Sequence, residues 1–353
     1  MLLQIGCISK KNSTKDNIDS KNLTKYRIMF YNVENYFDPE NDPEKNDDEF
    51  TPEGMRRWTK GRFFDKRNKI AKVIIGVGEW NYPAIVGLCE VENRNALETL
   101  VNDSPLKRAK YSIVHKESPD KRGIDVAMLY QRDQVKPFNK KWIQIDFPFA
   151  PEKKTRDILL VSGTTVENDT LHIFINHWPS RMGGAADSER NRTFVASKLK
   201  ENIDSIQNQN AMSNIIVMGD LNDYHDNISL TEVLTAKTSF EDITHTGLYN
   251  FSKYLMENEN IGTHKHMFYW GVLDQTIVSG FLLTNKNGIH TSPDNLHIYK
   301  HPCLLVKDEV HSGQISNRTY IGFKYNGGYS DHLPVYLDLI RDKPSSDKLT
   351  DTK

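Results

Sequence analysis

Short apolar segments that end on a polar side chain recur along this chain. The clearest is Asn214–His225, in which a β-branched run leads into Gly219 and then places Asp220 and Asn222 two residues apart. In an extended backbone, residues two apart lie on one face, so the segment predicts a buried strand ending on a carboxylate and an amide. Alone, it is equally typical of a strand followed by an Asn/Asp turn. Further strands are predicted at Tyr26–Tyr31, Pro83–Asn93, Val126–Tyr130, Leu171–Ile175, Trp270–Leu283 and Val335–Ile340.

Helical periodicity separates some of these strands. Asp65–Trp80 predicts a helix packed on a sheet, because its apolar residues recur at helical spacing, namely Ile70, Val73, Ile74 and Val77. Glu189–Asn208 has the same pattern. A short helix is expected over Asn227–Lys237 and mostly irregular chain over Asp242–Met267. The strands Ile158–Val166 and Leu171–Ile175 are expected to form a hairpin.

Composition and charge narrow the class of protein. The chain has 353 residues and a formal net charge of −1 at pH 7. Because the protein lacks an overall positive charge, strong, non-specific binding to nucleic acid is not expected. No Pro/Ser-rich linker interrupts residues 26–340, which favours one domain, and no apolar run is long enough to cross a membrane. The cysteines, Cys7, Cys89 and Cys303, have the spacing of neither a zinc site nor an arguable disulfide, and Cys89 is expected in the core.

The two ends of the chain differ from its body. The first seven residues resemble the end of a bacterial lipoprotein signal with Cys7 as the lipidated residue, although Gln4 and the short apolar stretch depart from that pattern. Residues 1–25 are expected to be either a lipoprotein tether, which implies the cell envelope or secretion, or a disordered leader of a cytoplasmic protein. Residues 341–353 are polar and are expected to form a disordered tail.

Several acidic residues are candidates for chemistry. Glu90 directly follows Ile-Val-Gly-Leu-Cys, and a strand buried on both faces rarely holds a charge without a partner or a metal ion. We therefore predict that Glu90 is a metal ligand. Asp220 with Asn222 can orient and deprotonate a water, or bind an ion and a phosphate oxygen. The acidic loop Asp38–Gly54 could bind calcium, but its spacing matches no known calcium loop, which favours a solvated loop.

Histidines and an arginine near other strand ends add candidates. His177 ends a predicted strand and could act as an acid or bind phosphate. Asp274 interrupts an apolar run and could orient an imidazole, while Asp331 directly precedes His332. Arg122 could contact a substrate phosphate, although turn residues at a strand start explain it equally well.

The order of these elements resembles the endonuclease/exonuclease/phosphatase superfamily, the deoxyribonuclease I-like proteins. The resemblance spans residues 26–340. Two of its sequence motifs, Phe-Tyr-Asn-Val-Glu-Asn and Asn-His-Trp-Pro-Ser-Arg, are similar to those of a bacterial subgroup of the superfamily. It implies an α/β (α+β) fold, a four-layer sandwich of two mixed β-sheets flanked by helices, with the site at one rim. The matched residues are Asn32, Glu90, Asn176, His177, Asp220, Asn222, Asp274, Asp331 and His332.

The resemblance also implies a metal ion and a base. Hard carboxylate and amide ligands suit Mg²⁺ or Mn²⁺, and by this resemblance Glu90 and Asn32 hold the cation with Asp331 nearby. Asp220, positioned with Asn222, is the expected base for the attacking water.

Other matched residues are expected to face the phosphate. His332, oriented by Asp274, would contact the scissile phosphate, and a His oriented by Asp tends to stay cationic. His177 would be a second imidazole, acting as an acid or a phosphate ligand. Three further residues are expected to contact the substrate, namely Arg122, Asn176 and Arg181.

Three functions are compatible with this site. The first is a metal-dependent nuclease acting on DNA or RNA, with no obligate protein partner and with membrane attachment only through a lipidated Cys7. The second is a phosphatase or phospholipase C-type enzyme on inositol phosphates or sphingomyelin; an exposed apolar hairpin for membrane contact is not evident in the sequence. The third, an inactive binding protein, is disfavoured because all the matched residues are present. The basic segments Arg56–Lys72 and Arg181–Arg192 could form a rim for any polyanion, although a solvated helix face more often explains such a charge run.

Overall fold

The computed structural model describes residues 23–342, apart from the side chains of residues 185–187. Its strands are β1 (Leu23–Tyr36), β2 (Ile85–Val91), β3 (Ser112–His115), β4 (Asp125–Tyr130), β5 (Val135–Ile143), β6 (Ile158–Thr165), β7 (Thr170–His177), β8 (Asn214–Asp220), β9 (Ala236–Lys237), β10 (Leu248–Asn250), β11 (His264–His266), β12 (Tyr269–Gly271), β13 (Asp274–Ser279), β14 (Leu296–Ile298), β15 (Leu305–Lys307), β16 (Gln314–Ser316), β17 (Tyr320–Ile321), β18 (Lys324–Tyr325) and β19 (Val335–Asp342). Its α-helices are α1 (Lys60–Gly78), α2 (Arg94–Asn102), α3 (Ala185–Gln209), α4 (Ser252–Glu259) and α5 (Gly280–Thr284).

The expectations for the two ends of the chain fall mostly outside these residues. Cys7 is not among them, whereas Leu23–Lys25 and Arg341–Asp342 belong to β1 and β19. Within residues 23–342, no helix has the length and apolar character that a membrane span requires.

Two mixed sheets form the centre of the molecule. One has the order β14-β19-β1-β2-β4-β3 and the other β5-β6-β7-β8-β13-β10-β9. The pairs β1–β2 and β7–β8 are parallel, and their neighbours are antiparallel. Because both parallel pairs end at the same edge of the sandwich, their final residues meet there, as the sequence analysis expects.

The two sheets pack directly against each other. A Cβ added at Gly87 on β2 would lie 3.1 Å from Met218 Sδ on β8 and 3.3 Å from Ile175 Cδ1 on β7. Glycine therefore permits the sheets to approach closely at this position. Apolar strand residues on both inner faces form one continuous core, in which Cys89 is buried as predicted.

Helices cover both outer faces, which completes the predicted four layers. α1 and α2 pack on the first sheet, where Asn93 accepts a hydrogen bond from Ala96 N (2.9 Å) and caps α2. α3 packs Leu199 and Ile203 against the outer face of the second sheet. The helices predicted over 65–80 and 189–208 are α1 and α3, with earlier starts.

Three local expectations were wrong. Residues 227–237 form a π-helical turn at Ser229–Val233 and then β9 rather than one helix, and residues 242–267 contain β10, α4 and β11 rather than irregular chain. Asp274 does not interrupt a strand, because β12 ends at Gly271 and Asp274 is the first residue of β13. The loop after β1 is mostly exposed or half-exposed, as expected of a solvated loop, although Asp47 and Phe50 are buried in it. The secondary-structure elements that differ from expectation are short, and their strands pair with residues distant in sequence, so local periodicity does not reveal them.

Candidate active site

Strand ends bring the main candidates together. Asn32 on β1 pairs with Cys89 on β2, next to Glu90, at the point where the register of the two strands shifts. In the other sheet Asp220, at the end of β8, pairs with His177 on β7 and with Asp274 on β13. The two groups face each other across the sandwich edge.

Asn32 links the two carboxylates. Its Nδ2 donates to Glu90 Oε1 (3.3 Å) and to Asp220 Oδ2 (3.1 Å), while its Oδ1 accepts from Glu34 N (3.0 Å). A metal ligand would have to present the amide oxygen, which here is turned away. In this orientation Asn32 contacts both Glu90 and Asp220, and its ligand role stays a prediction.

Glu90 lies in an unusual backbone conformation. Its φ is +61°, and the pairing of β2 shifts between Cys89 and Val91. Such a bulge redirects a side chain out of the sheet, and left-handed geometry is uncommon for a non-glycine residue. Glu90 Oε2 accepts from Asn35 N at 2.9 Å, so the backbone on β1 fixes the carboxylate.

His332 is held as a cation beside Asp220. Its Nδ1 lies 2.7 Å from Asp274 Oδ2, and its Nε2 lies 3.7 Å from Asp220 Oδ2. Burial disfavours the charged ring, but the carboxylates of Asp274 and Asp220 outweigh it and raise the pKa of His332 well above its usual value. The predicted His332–Asp274 pair is thus formed in the structure.

His177 faces the same centre as a neutral ring. Its Nε2 lies 3.9 Å from Glu90 Oε1 and 3.8 Å from Asp220 Oδ2. Burial, together with the charges of Arg156, Arg122 and His332, lowers the pKa of His177 well below its usual value. Two imidazoles of opposite charge preference therefore flank one carboxylate.

Asp220 is the carboxylate that they share. Burial, with smaller contributions from the charges of Asp274 and Glu90, raises the pKa of Asp220 to about 7. Its Oδ1 accepts from Asn222 N at 3.0 Å, and Asn222 has φ +51°. The chain therefore turns after Asp220, which matches the alternative of a strand followed by an Asn/Asp turn. Asn222 Nδ2 donates to Trp178 O (3.0 Å).

Asp331 is paired with an arginine that the sequence analysis did not single out. Arg318 Nη2 donates to Asp331 Oδ2 (2.9 Å), and Arg318 Nε donates to Glu34 Oε1 (3.2 Å). Burial alone would raise the pKa of Asp331, but the charges of His332 and Arg318 lower it below its usual value. Asp331 is thus beside the centre, with one oxygen already neutralised by a cation.

His264 is a second residue that sequence reasoning missed. Its ring centroid lies 4.8 Å from that of His332, and the two residues form an isolated antiparallel bridge. Ligand atoms of His264, Asp331 and His332 lie within 4.8 Å of one another. β11 has only three residues and no apolar run, so nothing in the sequence marks His264.

The predicted substrate residues are placed differently from one another. Asn176 is fully buried; its Nδ2 donates to Met218 O (3.3 Å) and its Oδ1 accepts from Trp178 Nε1 (3.1 Å). The structure therefore does not bring Asn176 to the site surface, and the predicted substrate contact is not matched.

The two predicted arginines, in contrast, are exposed. Arg181 lies beside the site, and its Nε donates to Asn222 O (2.9 Å). Arg122 is half exposed and close enough to affect His177 electrostatically.

Comparison with known proteins decides the family. A model described as "Endonuclease/Exonuclease/phosphatase family" matches residues 27–341. The chain belongs to this family. A sequence comparison with curated proteins gives no match.

Solved structures of this family share the fold at low sequence identity. An endonuclease/exonuclease/phosphatase family protein from Bacteroides thetaiotaomicron is 14% identical, with a TM-score of 0.54 and coverage of 91% of this chain and 96% of that one. D. rerio TDP2, solved with a single-strand DNA product, is 14% identical, with a TM-score of 0.55 and coverage of 90% and 99%. The human nocturnin catalytic domain, solved with a bound sulfate anion, is 18% identical, with a TM-score of 0.53 and coverage of 90% and 96%.

The centre of this family member suits a divalent cation. Glu90 and Asp220 both contact Asn32, and the partly buried Asp331 is near, so several carboxylates share a small region. The charge of Glu90 contributes to the raised pKa of Asp220, which shows that the carboxylates repel one another. A divalent ion relieves such repulsion and prefers carboxylate oxygens. The side chains of Glu90 and Asp331 are 15% and 22% exposed, whereas that of Asp220 is 3% exposed.

An exposed apolar hairpin stands beside the centre, which the sequence analysis did not find. β11 and β12 carry Met267, Phe268 and Tyr269 at their tip, and these side chains are 56%, 62% and 79% exposed. Leu333 N donates to Thr263 O (2.7 Å), so the hairpin is joined to the His332 segment. A cavity of about 390 Å³ lies along it, lined by Tyr224, Met256, Tyr269 and Trp270.

Proposed function

We propose that this protein is a divalent-metal-dependent phosphodiester hydrolase that cleaves DNA or RNA by water attack on phosphorus. One observation carries the proposal. Two imidazoles face two carboxylates across gaps of 3.7 to 3.9 Å between His332 and Asp220, His177 and Asp220, and His177 and Glu90. These gaps are too long for direct hydrogen bonds, and an oxygen of water or substrate placed between the groups can reach both sides.

The charges of these groups suit phosphoryl chemistry. The cationic His332, held by Asp274 through Nδ1, can bind a phosphate oxygen through Nε2. Asp220, with its pKa raised to about 7, can accept the proton of the attacking water near neutral pH. The neutral His177 can carry a proton toward the same gap, since imidazole has one donor and one acceptor nitrogen.

Metal binding is part of the proposal. Mg²⁺ or Mn²⁺ at Glu90 would neutralise charge on the phosphate. Asn32 and Asn35 hold the Glu90 carboxylate in place through its two oxygens, so the ligand is positioned before any ion binds.

Nucleic acid is favoured as substrate by the surroundings of the centre. Arg122 and Arg181 are cations at the rim, and Tyr269 with Trp270 and Tyr224 offers aromatic faces beside it. Cations and aromatic faces together suit a single strand, which needs phosphate contacts and base stacking. The similar fold of TDP2, solved with a single-strand DNA product, supports this choice.

Hydrolysis of three substrates tests the proposed function. Plasmid DNA, bis-p-nitrophenyl phosphate and p-nitrophenyl phosphate would be incubated with the protein in magnesium, manganese or chelator. The proposal expects cleavage of the plasmid and the diester, abolished by chelator. Cleavage of the monoester alone, or diester cleavage that resists chelator, would overturn it.

A second candidate substrate is a membrane lipid. The exposed Met267–Tyr269 tip is the feature that a sphingomyelinase-type phospholipase C would use to contact a bilayer. Release of phosphocholine from sphingomyelin vesicles, without cleavage of DNA, would favour this function.

Attachment to the bacterial cell envelope through a lipidated Cys7 stays a prediction. Metabolic labelling with a fatty-acid analogue checks it, with Cys7→Ser as the control. A full-length protein that remains unlabelled would contradict the attachment and favour the cytoplasmic alternative.

A further inference from the structure

A polar cavity lies beside the metal-ligand side of the centre. It has a volume of about 180 Å³, and its lining includes Glu34, Asn35, Phe50, Arg56, Arg318 and Tyr320. Asn35 is the residue whose N–H binds Glu90 Oε2 (2.9 Å). The cavity and the Glu90 carboxylate therefore share one wall.

Arg56 is fixed on this wall by aromatic rings. Its guanidinium carbon lies 4.9 Å from the ring centroid of Phe50, 5.0 Å from that of Tyr320 and 5.5 Å from that of Phe323. Its Nε donates to Glu49 Oε2 (3.0 Å) and its Nη1 to Gly322 O (3.1 Å). Among the described residues Nη2 has no hydrogen-bond partner, so this nitrogen remains able to donate to a ligand.

Arg318 faces the same cavity from the side of the catalytic centre. Its Nε and Nη2 donate to Glu34 and Asp331, and within residues 23–342 its Nη1 has no acceptor. Glu34 is the acidic residue of the lining, but its oxygens already accept from Arg318 Nε (3.2 Å) and Thr319 N (2.6 Å). The cavity thus holds two guanidinium groups of fixed orientation, and its carboxylate is already paired.

We propose that this cavity binds a second phosphate group of the substrate, adjacent to the phosphate that is cleaved. Planar guanidinium groups with unused N–H donors match phosphate oxygens in geometry and charge. The inference rests on the proposed function and sharpens it, because it selects substrates with at least two neighbouring phosphates, such as a nucleic acid strand, over isolated diesters.

The contacts also distinguish Arg56 from the other cations of its segment. Arg62 stacks on Tyr325 at 4.3 Å and donates to the backbone of Arg56 and Arg57, and Lys66 is buried against Thr319 and Tyr329. These two residues hold the loop and the β17–β18 hairpin together. Arg56 is the cation of this group that lines the cavity.

Calorimetric binding of nucleotides tests the proposal without relying on turnover. Thymidine 3′,5′-bisphosphate would be compared with thymidine 5′-monophosphate and thymidine 3′-monophosphate in magnesium, so that either phosphate can occupy the catalytic centre. The wild type is expected to bind the bisphosphate about tenfold more tightly than either monophosphate. Arg56→Gln is expected to remove that gain, since a hydrogen bond to a charged group raises binding affinity by about tenfold or more.

Two further variants complete the experiment. Arg108→Gln removes an exposed arginine before β3, at the opposite end of the sheet, and should keep the gain. Arg56→Lys keeps the charge near the aromatic rings but loses the planar fork, so it should reduce the gain by about threefold even if the Gln variant folds poorly.

The outcomes separate the two claims. Equal binding of bisphosphate and monophosphates by the wild type, or an unchanged gain in both Arg56 variants, would overturn the second phosphate site whatever the activity. A protein that hydrolyses no diester but shows the Arg56-dependent gain would contradict the proposed function and retain the phosphate site.

Discussion

The catalytic centre and the rim around it are built in different ways. The residues of the centre lie at the ends of long strands. Their polar groups are hydrogen-bonded to one another, as in His332 to Asp274 (2.7 Å) and Asn32 to Asp220 (3.1 Å). The rim includes three hairpins with strands of two or three residues, β11–β12, β15–β16 and β17–β18. It exposes large apolar side chains, among them Tyr269, Val310 and Phe323.

This difference assigns separate tasks to the two regions. Residues at the centre are positioned by sheet register and by the core, so their geometry is set before a substrate arrives. The hairpins add aromatic faces and cations without taking part in the sheets. We therefore expect the centre to determine the reaction and the rim to select the phosphate ester.

Removal of His332 should have the largest effect. His332→Ala deletes the cationic imidazole that faces Asp220, so kcat for bis-p-nitrophenyl phosphate should fall by about 10²–10⁴-fold. His301→Ala, at an exposed position, is the matched control, and circular dichroism checks that both variants fold. Near-normal turnover by a folded His332→Ala protein would remove this residue from the centre.

Glu90→Gln should abolish the response to metal. A ligand that binds only the folded state raises its melting temperature, so manganese should raise the midpoint of the wild type by a few degrees but leave Glu90→Gln unchanged. Glu98→Gln, an exposed glutamate on α2, should respond like the wild type. An undiminished shift in Glu90→Gln would place the ion elsewhere.

The pH dependence should show two limbs. As the pH rises through about 7, Asp220 loses its proton and becomes able to accept one from water, so kcat/KM should increase about tenfold per pH unit below that value. At high pH activity should fall when His332 loses the proton that Asp274 helps to retain.

Asp274→Asn checks the origin of the second limb. It removes the carboxylate that raises the pKa of His332, so the alkaline limb should move to lower pH. An alkaline limb at the wild-type position would show that another group titrates there.

A rim substitution should have the smallest effect. Tyr269→Ser removes an aromatic face that is 79% exposed, and base stacking is worth about 1–3 kcal/mol per base. The preference for single-stranded DNA over bis-p-nitrophenyl phosphate, measured as a ratio of kcat/KM values, should fall by about fivefold or more. Trp80→Ser, 97% exposed at the far end of α1, serves as the control and should retain the wild-type ratio.

The same difference explains how far the sequence could be interpreted. The fold and the strand-end residues were predictable because each residue follows an apolar run, as Asp220 and Glu90 do, and because their order resembles a known family. The turn at Asn222 was one of two equal alternatives, and the bulge at Glu90 was not predictable, since a backbone φ of +61° is uncommon for a glutamate. Whether Asn32 directs its oxygen or its nitrogen to the centre depends on Glu34 N, a contact that exists only in the folded chain.

Most of the rim could not be predicted from the sequence, for a physical reason. Its strands are too short to show alternation, and β11 is placed by a bridge between His264 and His332, 68 residues apart in the printed sequence. Arg318 and Arg56 gain their roles only when the β17–β18 hairpin packs on the loop before α1. Sequence patterns report local burial, whereas these residues depend on long-range contacts.

The turnover of bis-p-nitrophenyl phosphate by Asp220→Asn in excess magnesium shows whether Asp220 is the base for the attacking water. Asp226→Asn, an exposed carboxylate on the same loop, is the matched control. We expect kcat to fall by about 10²–10⁴-fold in Asp220→Asn and to stay at the wild-type value in Asp226→Asn, with both proteins folded. A folded Asp220→Asn protein with wild-type kcat would show that this strand-end carboxylate does not take part in the reaction.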